Sequence, residues 1–206
     1  MPKRVTIDVR RHSLTAPNED DSKRKLTPEG EKLARKVRRT NPGPYHLVLH
    51  SPVMRARDTA RELTAAMVPS HWSPVDELYP RKGTPEGDPI WALFAELGNV
   101  PLPQYYAHQK GEVMREYGMR TWNAIKAAIS KCERASWATD LNNLNVLIVG
   151  HAICLNAMGH AAVKYVGTGE DIVRRCDQLD EIFVECSGFR LTMENDVVTG
   201  FSLLSA

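Results

Sequence analysis

The 206-residue sequence has no excess of charge of either sign. Its 27 Lys and Arg residues nearly balance its 25 Asp and Glu residues, which gives a formal net charge of +2. A balanced chain gives no reason to expect nucleic acid as a partner, and it is not an acidic disordered segment. Apolar residues make up 42% of the chain, as in ordinary folded domains. We therefore expect a globular protein that does not bind nucleic acid.

Long hydrophobic runs and paired cysteines are also missing. No window approaches the ~18 consecutive apolar residues of a membrane span, so no membrane partner is expected. The first residues, Met1-Pro2-Lys3-Arg4, lead into a strand-like run without the apolar region of a secretory leader. The four cysteines form no Cys-x-x-Cys pair, which favours buried free thiols in a reducing compartment; they are Cys132, Cys154, Cys176 and Cys186. We expect a cytoplasmic protein.

The chain alternates strand-like and helix-like segments and contains no internal repeat. Strands are predicted at residues 5–9, 47–49 and 146–149, and the last is the unbroken apolar run of a strand covered on both faces. Helices are predicted at residues 27–38, 51–67, 122–137 and 152–163. The first is capped by Thr27 and the second by Ser51, each followed by proline. The pattern predicts one α/β domain over residues 1–206, a three-layer α/β/α sandwich with a mostly parallel sheet.

Two regions depart from this alternation. Residues 182–184 and 189–193, with turn residues before Val197-Val198, predict an antiparallel hairpin at the C-terminal edge of the sheet. Residues 72–104 are rich in proline and glycine and predict a loop-rich excursion. Such an excursion is either a functional lid or a solvated surface segment.

Basic and imidazole side chains follow each predicted parallel strand. Arg10-Arg11-His12-Ser13 ends the first, His50-Ser51 the second, and Gly150-His151 the third. Ligands of open α/β sheets bind outside the carboxyl ends of such strands, so these side chains are expected to converge. Arg55 and Arg57 lie in the first turn of the next helix, where a cation opposes the helix dipole. This placement favours a site for phosphate-like anions, although Arg55 paired with a surface carboxylate is the alternative.

Four segments, in this order, resemble the motifs of the histidine phosphatase superfamily, also called the phosphoglycerate mutase-like fold. They are residues 9–13 (VRRHS), 26–30 (LTPEG), 51–60 (SPVMRARDTA) and 149–151 (VGH). The segment 76–80 (DELYP) and the pairs Gly87-Asp88 and Ser187-Gly188 are most similar to small bacterial phosphohistidine phosphatases. The resemblance covers most of the chain.

The resemblance implies that His12 accepts a phosphoryl group while Arg11, Arg55 and His151 surround the phosphate oxygens. Water then hydrolyses the phosphohistidine, without a metal or other cofactor. The family glycine after the Arg-His pair is Ser13 here, whose hydroxyl is expected to donate to a phosphate oxygen. Ser51 is also expected to bind substrate.

The resemblance further implies a carboxylic acid that protonates the leaving group. Glu77 is the first candidate, and Asp88 or Glu86 the second; each is otherwise a solvated carboxylate. A phosphohistidine substrate relaxes this requirement, because imidazole leaves easily. The expected partner is a phosphorylated small molecule or a phosphoprotein. The alternatives are mutase-type phosphoryl transfer and a catalytically weak module that binds phospho-ligands.

Two further patterns yield weaker hypotheses. Asp8 and Arg10 alternate on one face of the first strand, and we expect Asp8 to pair with Arg10 or with a helix cation. His46 and His50 are four residues apart, but no third metal ligand accompanies them. Trp91 and the pair Tyr105-Tyr106 either cover the pocket mouth or belong to the local core.

Overall fold

In a computed structural model, which describes residues 4–17, 20–41, 43–138, 141–166 and 176–206, six strands form one sheet. The strands are β1 (Arg4–Arg11), β2 (Leu47–His50), β3 (His71–Pro74), β4 (Asn143–Gly150), β5 (Gly188–Glu194) and β6 (Val197–Leu204). Their order is β3-β2-β4-β1-β5-β6. The first four are parallel, and β5 and β6 complete the sheet as an antiparallel edge. The mostly parallel sheet with its edge hairpin is confirmed.

Helices cover both faces of this sheet. They are α1 (Pro28–Thr40), α2 (Met54–Thr64), α3 (Asp88–Leu97), α4 (Leu102–Ala107), α5 (Glu112–Glu133) and α6 (Ala152–Val166). Short 3-10 helices lie at Asp21–Lys23, Asp76–Leu78, Ser136–Ala138 and Cys176–Leu179. Helices α1 and α2 pack on one face, whereas α5 and α6 pack on the other. The result is the predicted three-layer sandwich.

Strand β4 lies in the centre of the parallel part and is buried on both faces. Val146 and Ile148 pack in the core beneath α5 and α6. Leu147 and Val149 pack in the core beneath α1 and α2. Because successive side chains of a strand point to opposite faces, a strand covered twice must be apolar throughout. This is the physical reason for the unbroken run in the sequence.

The starts of α1 and α2 differ. The Thr27 hydroxyl accepts the amide hydrogen of Gly30 at 3.0 Å, and Pro28 opens α1, as predicted. The predicted cap of α2 is wrong: the helix begins at Met54, after Val53, with no side-chain cap. The Ser51 hydroxyl instead lies beside His151.

Three other boundaries need correction. Residues 72–104 are not mainly loop, because they include part of β3 as well as α3 and the start of α4. Helix α5 begins ten residues before the predicted Trp122. Residues 182–184 form no strand. The hairpin of β5 and β6 turns through Asn195 and Asp196, whose φ angles of 51° and 64° suit a tight two-residue turn.

The predicted pairing of Asp8 with Arg10 is wrong. Asp8 stands directly opposite Arg190 on β5, which donates to both carboxylate oxygens at 2.6 and 2.9 Å. Arg10 donates to the backbone carbonyls of Cys186 and Ser205. Cross-strand neighbours are closer than residues two apart on one strand, so the sheet decides this partner.

Cys132, Cys154 and Cys186 are buried free thiols. The side chain of Cys176 and residues 1–3, on which two sequence predictions rest, lie outside the described part. Among the helices of the described part, none has the length and apolarity that a membrane crossing requires.

Candidate active site

The carboxyl ends of β1, β2 and β4 bring the predicted strand-end residues together. The His12 amide donates to the Gly150 carbonyl at 2.9 Å, which joins the end of β1 to the end of β4. The imidazole rings of His12 and His151 lie 5.1 Å apart between centroids. Arg55, in the first turn of α2, reaches both rings. Adjacent parallel strands and the helix that follows one of them therefore form a single cluster.

A cavity of about 430 Å³ opens at this cluster. Its polar lining consists of Arg11, His12, Asp21, Arg24, Arg55, Asn99 and His151. Its remaining lining is largely aromatic and apolar, and consists of Tyr79, Pro80, Trp91, Phe94, Gly98, Tyr105, Ala152, Ile153 and Cys154. Because the lining contains three arginines and two histidines but a single carboxylate, the cavity is suited to bind an anion.

The hydrogen bonds of His12 determine which ring nitrogen carries its proton. Arg55 places its Nε–H 3.2 Å from Nε2 of His12. Since a guanidinium can only donate, Nε2 must be the unprotonated acceptor. Nδ1 then carries the hydrogen and donates it to the Ser13 carbonyl at 2.8 Å. His12 is thus held with Nε2 unprotonated, in the tautomer that can act as a nucleophile.

Burial keeps this imidazole neutral. Desolvation lowers the pKa of His12 to about 3, and the charges of Arg55, Arg11 and Arg24 act in the same direction. Its hydrogen bond to the Ser13 carbonyl opposes the shift but does not reverse it. The pKa of His151 is held well below its usual value, first by burial and then by His12 and the arginines. Both rings are therefore uncharged at neutral pH.

His151 is fixed by two contacts. Its Nδ1 lies 3.3 Å from Nη2 of Arg55, which can only donate. The imidazole hydrogen is therefore on Nε2, which donates to the Ser51 hydroxyl at 2.9 Å. Because Ser51 is fully buried, it acts on the site through His151.

Asp21 forms an ion pair with Arg55 and accepts hydrogen bonds from both Nη atoms of its guanidinium. Arg55 donates from Nη1 to the Asp21 carbonyl and from Nη2 to the Asp21 carboxylate at 2.8 Å. The Tyr79 hydroxyl donates to the same carboxylate at 2.8 Å. Burial acts to raise the pKa of Asp21, but the charge of Arg55 and the hydrogen bonds from Tyr79, Arg55 and Arg24 outweigh it, so this pKa is lowered. Asp21 is ionised at neutral pH.

Arg11 and Arg24 complete the cationic lining. Arg11 donates from Nη1 to the Phe183 carbonyl at 2.6 Å and pairs from Nη2 with Glu185 at 2.9 Å. Its Nε is buried and has no hydrogen-bond partner among the described residues. Arg24 donates to the Thr15 hydroxyl at 2.6 Å. Neighbouring groups thus fix both guanidinium groups before any ligand arrives.

The structure does not bring the predicted proton donors to this cavity. Glu77 and Glu86 line a second cleft of about 320 Å³, together with Arg120, and this cleft adjoins the cavity at Tyr79 and Pro80, which line both. The Asp88 carboxylate accepts the amide hydrogen of Gly83 at 2.6 Å. Among the described lining residues, the single carboxylate is that of Asp21.

Neither serine lies where the sequence analysis expected it. Ser13 is fully buried and donates its hydroxyl to the Gly30 carbonyl at 2.7 Å, so this group faces the start of α1 and not the cavity. Ser51 does not line the cavity either, although it holds His151. Arg57 pairs with its neighbour Asp58 and is also absent from the lining.

The two histidines considered as metal ligands have other partners. His46 accepts the amide hydrogen of Asn145 at 3.0 Å. His50 uses Nδ1 on the Ser51 carbonyl, and its ring packs 5.6 Å from that of Trp72. Within the described ranges, no group of three or more His, Cys, Asp or Glu side chains could hold a metal ion.

Sequence reasoning missed several side chains of the cavity, among them Tyr79 and Asn99, and gave two alternatives for Trp91 and Tyr105-Tyr106. Asp21 and Arg24 lie in the polar loop after β1, and the sole signal for them is this position. Phe94 lies within residues 72–104, and no sequence pattern distinguishes it as a site residue. Trp91 lines the cavity, Tyr105 lines it while being almost wholly buried in the local core, and Tyr106 does not line it.

Comparison with known proteins finds one matching family. Residues 8–172 match the family model of the histidine phosphatase superfamily (branch 1). No curated protein matches the sequence significantly.

Solved structures share the fold at low sequence identity. The protein histidine phosphatase SixA in complex with tungstate is 20% identical, with a TM-score of 0.55 over 98% of this chain and 96% of that one. A phosphoserine phosphatase from Entamoeba histolytica is 13% identical, with a TM-score of 0.63 over 98% of each chain. A phosphoglycerate mutase from Bacillus anthracis is 15% identical, with a TM-score of 0.60 over 100% of this chain and 93% of that one.

Proposed function

Since the chain belongs to the histidine phosphatase superfamily, we propose that it is a metal-independent phosphatase in which His12 is the nucleophile. The observation that carries this proposal is the state of His12. Its ring is neutral, its proton is held on Nδ1 by a backbone carbonyl, and its Nε2 lone pair faces a guanidinium. The substrate is a phosphomonoester or a phosphohistidine, on a small molecule or a protein.

The first step forms a bond between Nε2 of His12 and phosphorus. The lone pair of Nε2 attacks, the bond from phosphorus to the leaving atom breaks, and the leaving group departs with that electron pair. The hydrogen on Nδ1 stays bound to Nδ1 and donates to the Ser13 carbonyl throughout, because it points away from phosphorus. The product is a phosphohistidine in which the ring carries one positive charge.

The arginines stabilise the negative charge that spreads over the phosphoryl oxygens in the transition state. Arg55 is in direct contact with His12, and Arg11 and Arg24 line the same cavity. Fixed cations in a partly dehydrated site lower the barrier, because they need no reorganisation during the reaction. These three guanidinium groups supply the positive charge that a metal ion would otherwise supply.

In the second step, water attacks phosphorus and the bond to Nε2 breaks. The electron pair returns to His12, and the water loses a proton to solvent or to the released phosphate. His12 is thereby restored in its original tautomer, ready for another cycle.

Turnover by the variant His12→Asn tests this function. We expect it to release less than about one per cent as much phosphate from p-nitrophenyl phosphate as the native enzyme, because covalent catalysis needs the ring nitrogen. A short incubation with labelled substrate should leave an acid-labile phosphate on the native protein and none on the variant.

His50→Asn is the matched control. His50 also lies at the carboxyl end of a parallel strand and also uses Nδ1 on the carbonyl of the next residue, but it is not among the residues that line the cavity. It should keep most of its turnover. Retained activity in His12→Asn would refute the covalent route. Transfer of the phosphoryl group to another substrate hydroxyl would identify a mutase, and binding without turnover a phospho-ligand module.

A further inference from the structure

Four aromatic rings form a continuous row along the cavity, starting beside the second histidine. Tyr79 lies 5.2 Å from the ring of His151 and 5.8 Å from that of Trp91. Trp91 is followed by Phe94 at 5.6 Å, and Phe94 by Tyr105 at 5.7 Å. All four line the cavity. A group attached to a phosphate at His12 can therefore extend along aromatic surface.

The polar atoms of these aromatic residues are bonded within the protein. The Trp91 indole N–H donates to the Pro80 carbonyl, and the Tyr105 hydroxyl donates to the Gly98 carbonyl. The Tyr79 hydroxyl is bonded to Asp21. Tyr79, Trp91 and Phe94 are partly exposed and thus offer a ligand ring surface, which interacts well with another aromatic ring, whereas Tyr105 is buried behind Phe94.

The cations of the cavity belong to the phosphate end. Arg55 contacts His12 directly, and Arg11, the last residue of β1, immediately precedes His12. Lys82 lies 4.4 Å above the Trp91 ring, but it is not among the lining residues. Arg24 pairs with Asp21, and the guanidinium of Arg55 lies 5.8 Å from the centre of the Tyr79 ring, so the cations reach the first ring of the row. Beyond Tyr79, the described lining along the ring row carries no cation that would bind a second anionic group, such as the carboxylate of phosphoserine or phosphoglycerate.

The described lining also offers no carboxylic acid that is protonated at neutral pH, and its Tyr79 and Tyr105 hydroxyls already donate to groups of the protein. Asp21 is ionised and paired with Arg55, whereas Glu77 and Glu86 face another cleft. An alkoxide is a poor leaving group without such a donor, but a phenolate is stable enough to depart alone.

We propose that the substrates of this site are aryl phosphates, in which a phenolic oxygen joins phosphorus to an aromatic ring. This inference rests on the proposed phosphatase function. When Nε2 of His12 attacks, the bond from phosphorus to the phenolic oxygen breaks, the phenolate leaves with the electron pair, and it then takes a proton from water. The ring lies along Trp91 and Phe94 during the reaction.

Uncleavable phosphonates test the binding part on the unmodified protein. We expect benzylphosphonate to inhibit at a concentration about tenfold or more below that of methylphosphonate, since burial of a ring contributes at least that factor in affinity. Benzylphosphonate should also inhibit about two- to tenfold better than cyclohexylmethylphosphonate, because ring contacts add to simple burial. Equal inhibition within either pair would overturn the proposal.

Trp91→Ala locates the effect. It should weaken inhibition by benzylphosphonate about fivefold or more and leave that by methylphosphonate within about twofold, on the scale of aromatic contacts. Trp72→Ala is the matched control, because Trp72 is also partly buried but packs on His50 outside the cavity. An unchanged preference in Trp91→Ala would overturn the role of the ring row.

Hydrolysis of O-phosphotyrosine and O-phosphoserine tests the substrate class, because these compounds carry the same charged groups. We expect kcat/KM to be about a hundredfold or more higher for O-phosphotyrosine, on the scale of general acid catalysis that the site lacks. A preference for O-phosphoserine would refute the aryl class while leaving the phosphatase function intact. Failure of the phosphatase function would look different, because neither compound would then be hydrolysed.

Discussion

Arg55 donates its Nε–H to Nε2 of His12 across 3.2 Å, while its Nη atoms are bonded to Asp21. The lone pair that would attack phosphorus and the cation that would bind the phosphate are therefore both engaged within the protein. In the proposed mechanism, an incoming phosphoryl group has to replace the carboxylate of Asp21 on Arg55. Asp21 thus stands in for the anion until the substrate arrives.

Replacement of Asp21 by Asn should strengthen oxyanion binding. The variant removes the negative charge that competes for Arg55, so we expect the inhibition constants of vanadate and tungstate to fall about three- to thirtyfold, on the scale of one partly buried ion pair. The control is Asp58→Asn, which removes a carboxylate paired with Arg57 and Arg61 on α2. Weaker oxyanion binding in Asp21→Asn would instead mean that Asp21 orients Arg55 for the substrate.

Replacement of Glu77 by Gln should change kcat/KM less than about twofold for both alkyl and aryl phosphates. We expect this because Glu77 lines the second cleft and not the cavity that contains His12. Glu86→Gln, in the same cleft, is the companion variant. A loss of about 10²-fold confined to alkyl phosphates would identify Glu77 as the proton donor after all.

Excess chelator should leave the rate of phosphate release unchanged, since arginines supply the positive charge at the site. Vanadate and tungstate should inhibit competitively, because they mimic the charge and shape of the transition state. A rate that falls with chelator and recovers with a divalent ion would contradict metal independence. In that case His46→Asn and His50→Asn would show whether those side chains hold the ion.

Replacement of Ser13 by Gly, the residue typical of the family, should cost stability and not activity. The Ser13 hydroxyl satisfies the buried Gly30 carbonyl, and its loss should lower the free energy of unfolding by about 1–3 kcal/mol. We expect kcat/KM to stay within about twofold. Ser13→Ala separates the lost hydrogen bond from the added backbone freedom of glycine. A large fall in kcat/KM at unchanged stability would place the hydroxyl on the substrate.

The buried histidines should make the fold sensitive to acid. The pKa of His12 is about 3 in the folded protein, against about 6.5 in an unfolded chain. Between these values the unfolded chain binds a proton that the folded protein does not. The stability contributed by neutral His12 is therefore complete above pH 6.5 and declines as the pH falls toward 3.

Urea unfolding of His12→Asn between pH 7 and pH 4 measures this effect. The free energy of unfolding of the native protein should fall relative to the variant by up to about 1.4 kcal/mol per pH unit below pH 6. The control is His71→Asn, at an exposed position on the edge strand β3. Parallel pH curves for the native protein and His12→Asn would contradict the shifted pKa.

Local pattern was sufficient to predict the layers of the fold. The apolar run of β4 predicts a strand covered on both faces, and Thr27-Pro28 predicts the start of α1, because the interactions behind both signals lie within a few residues. Local pattern failed at Asp8, whose partner Arg190 is 182 residues away along the chain. It also failed at Ser51, which has the composition of a helix cap but contacts His151.

The sequence by itself determined that His12, Arg11, Arg55 and His151 meet. Each lies at or next to the carboxyl end of a parallel strand, and these ends lie at one edge of the sheet. Only the tertiary structure decided what surrounds them. The loop after β1 brings Asp21 onto Arg55, and α3 and α4 bring Trp91, Phe94 and Tyr105 to the cavity. The conformation of that loop and the packing of these short helices depend on contacts between distant parts of the chain. No local pattern records such contacts, so the position of Glu77 outside the cavity and the aromatic wall within it appear only in the folded protein.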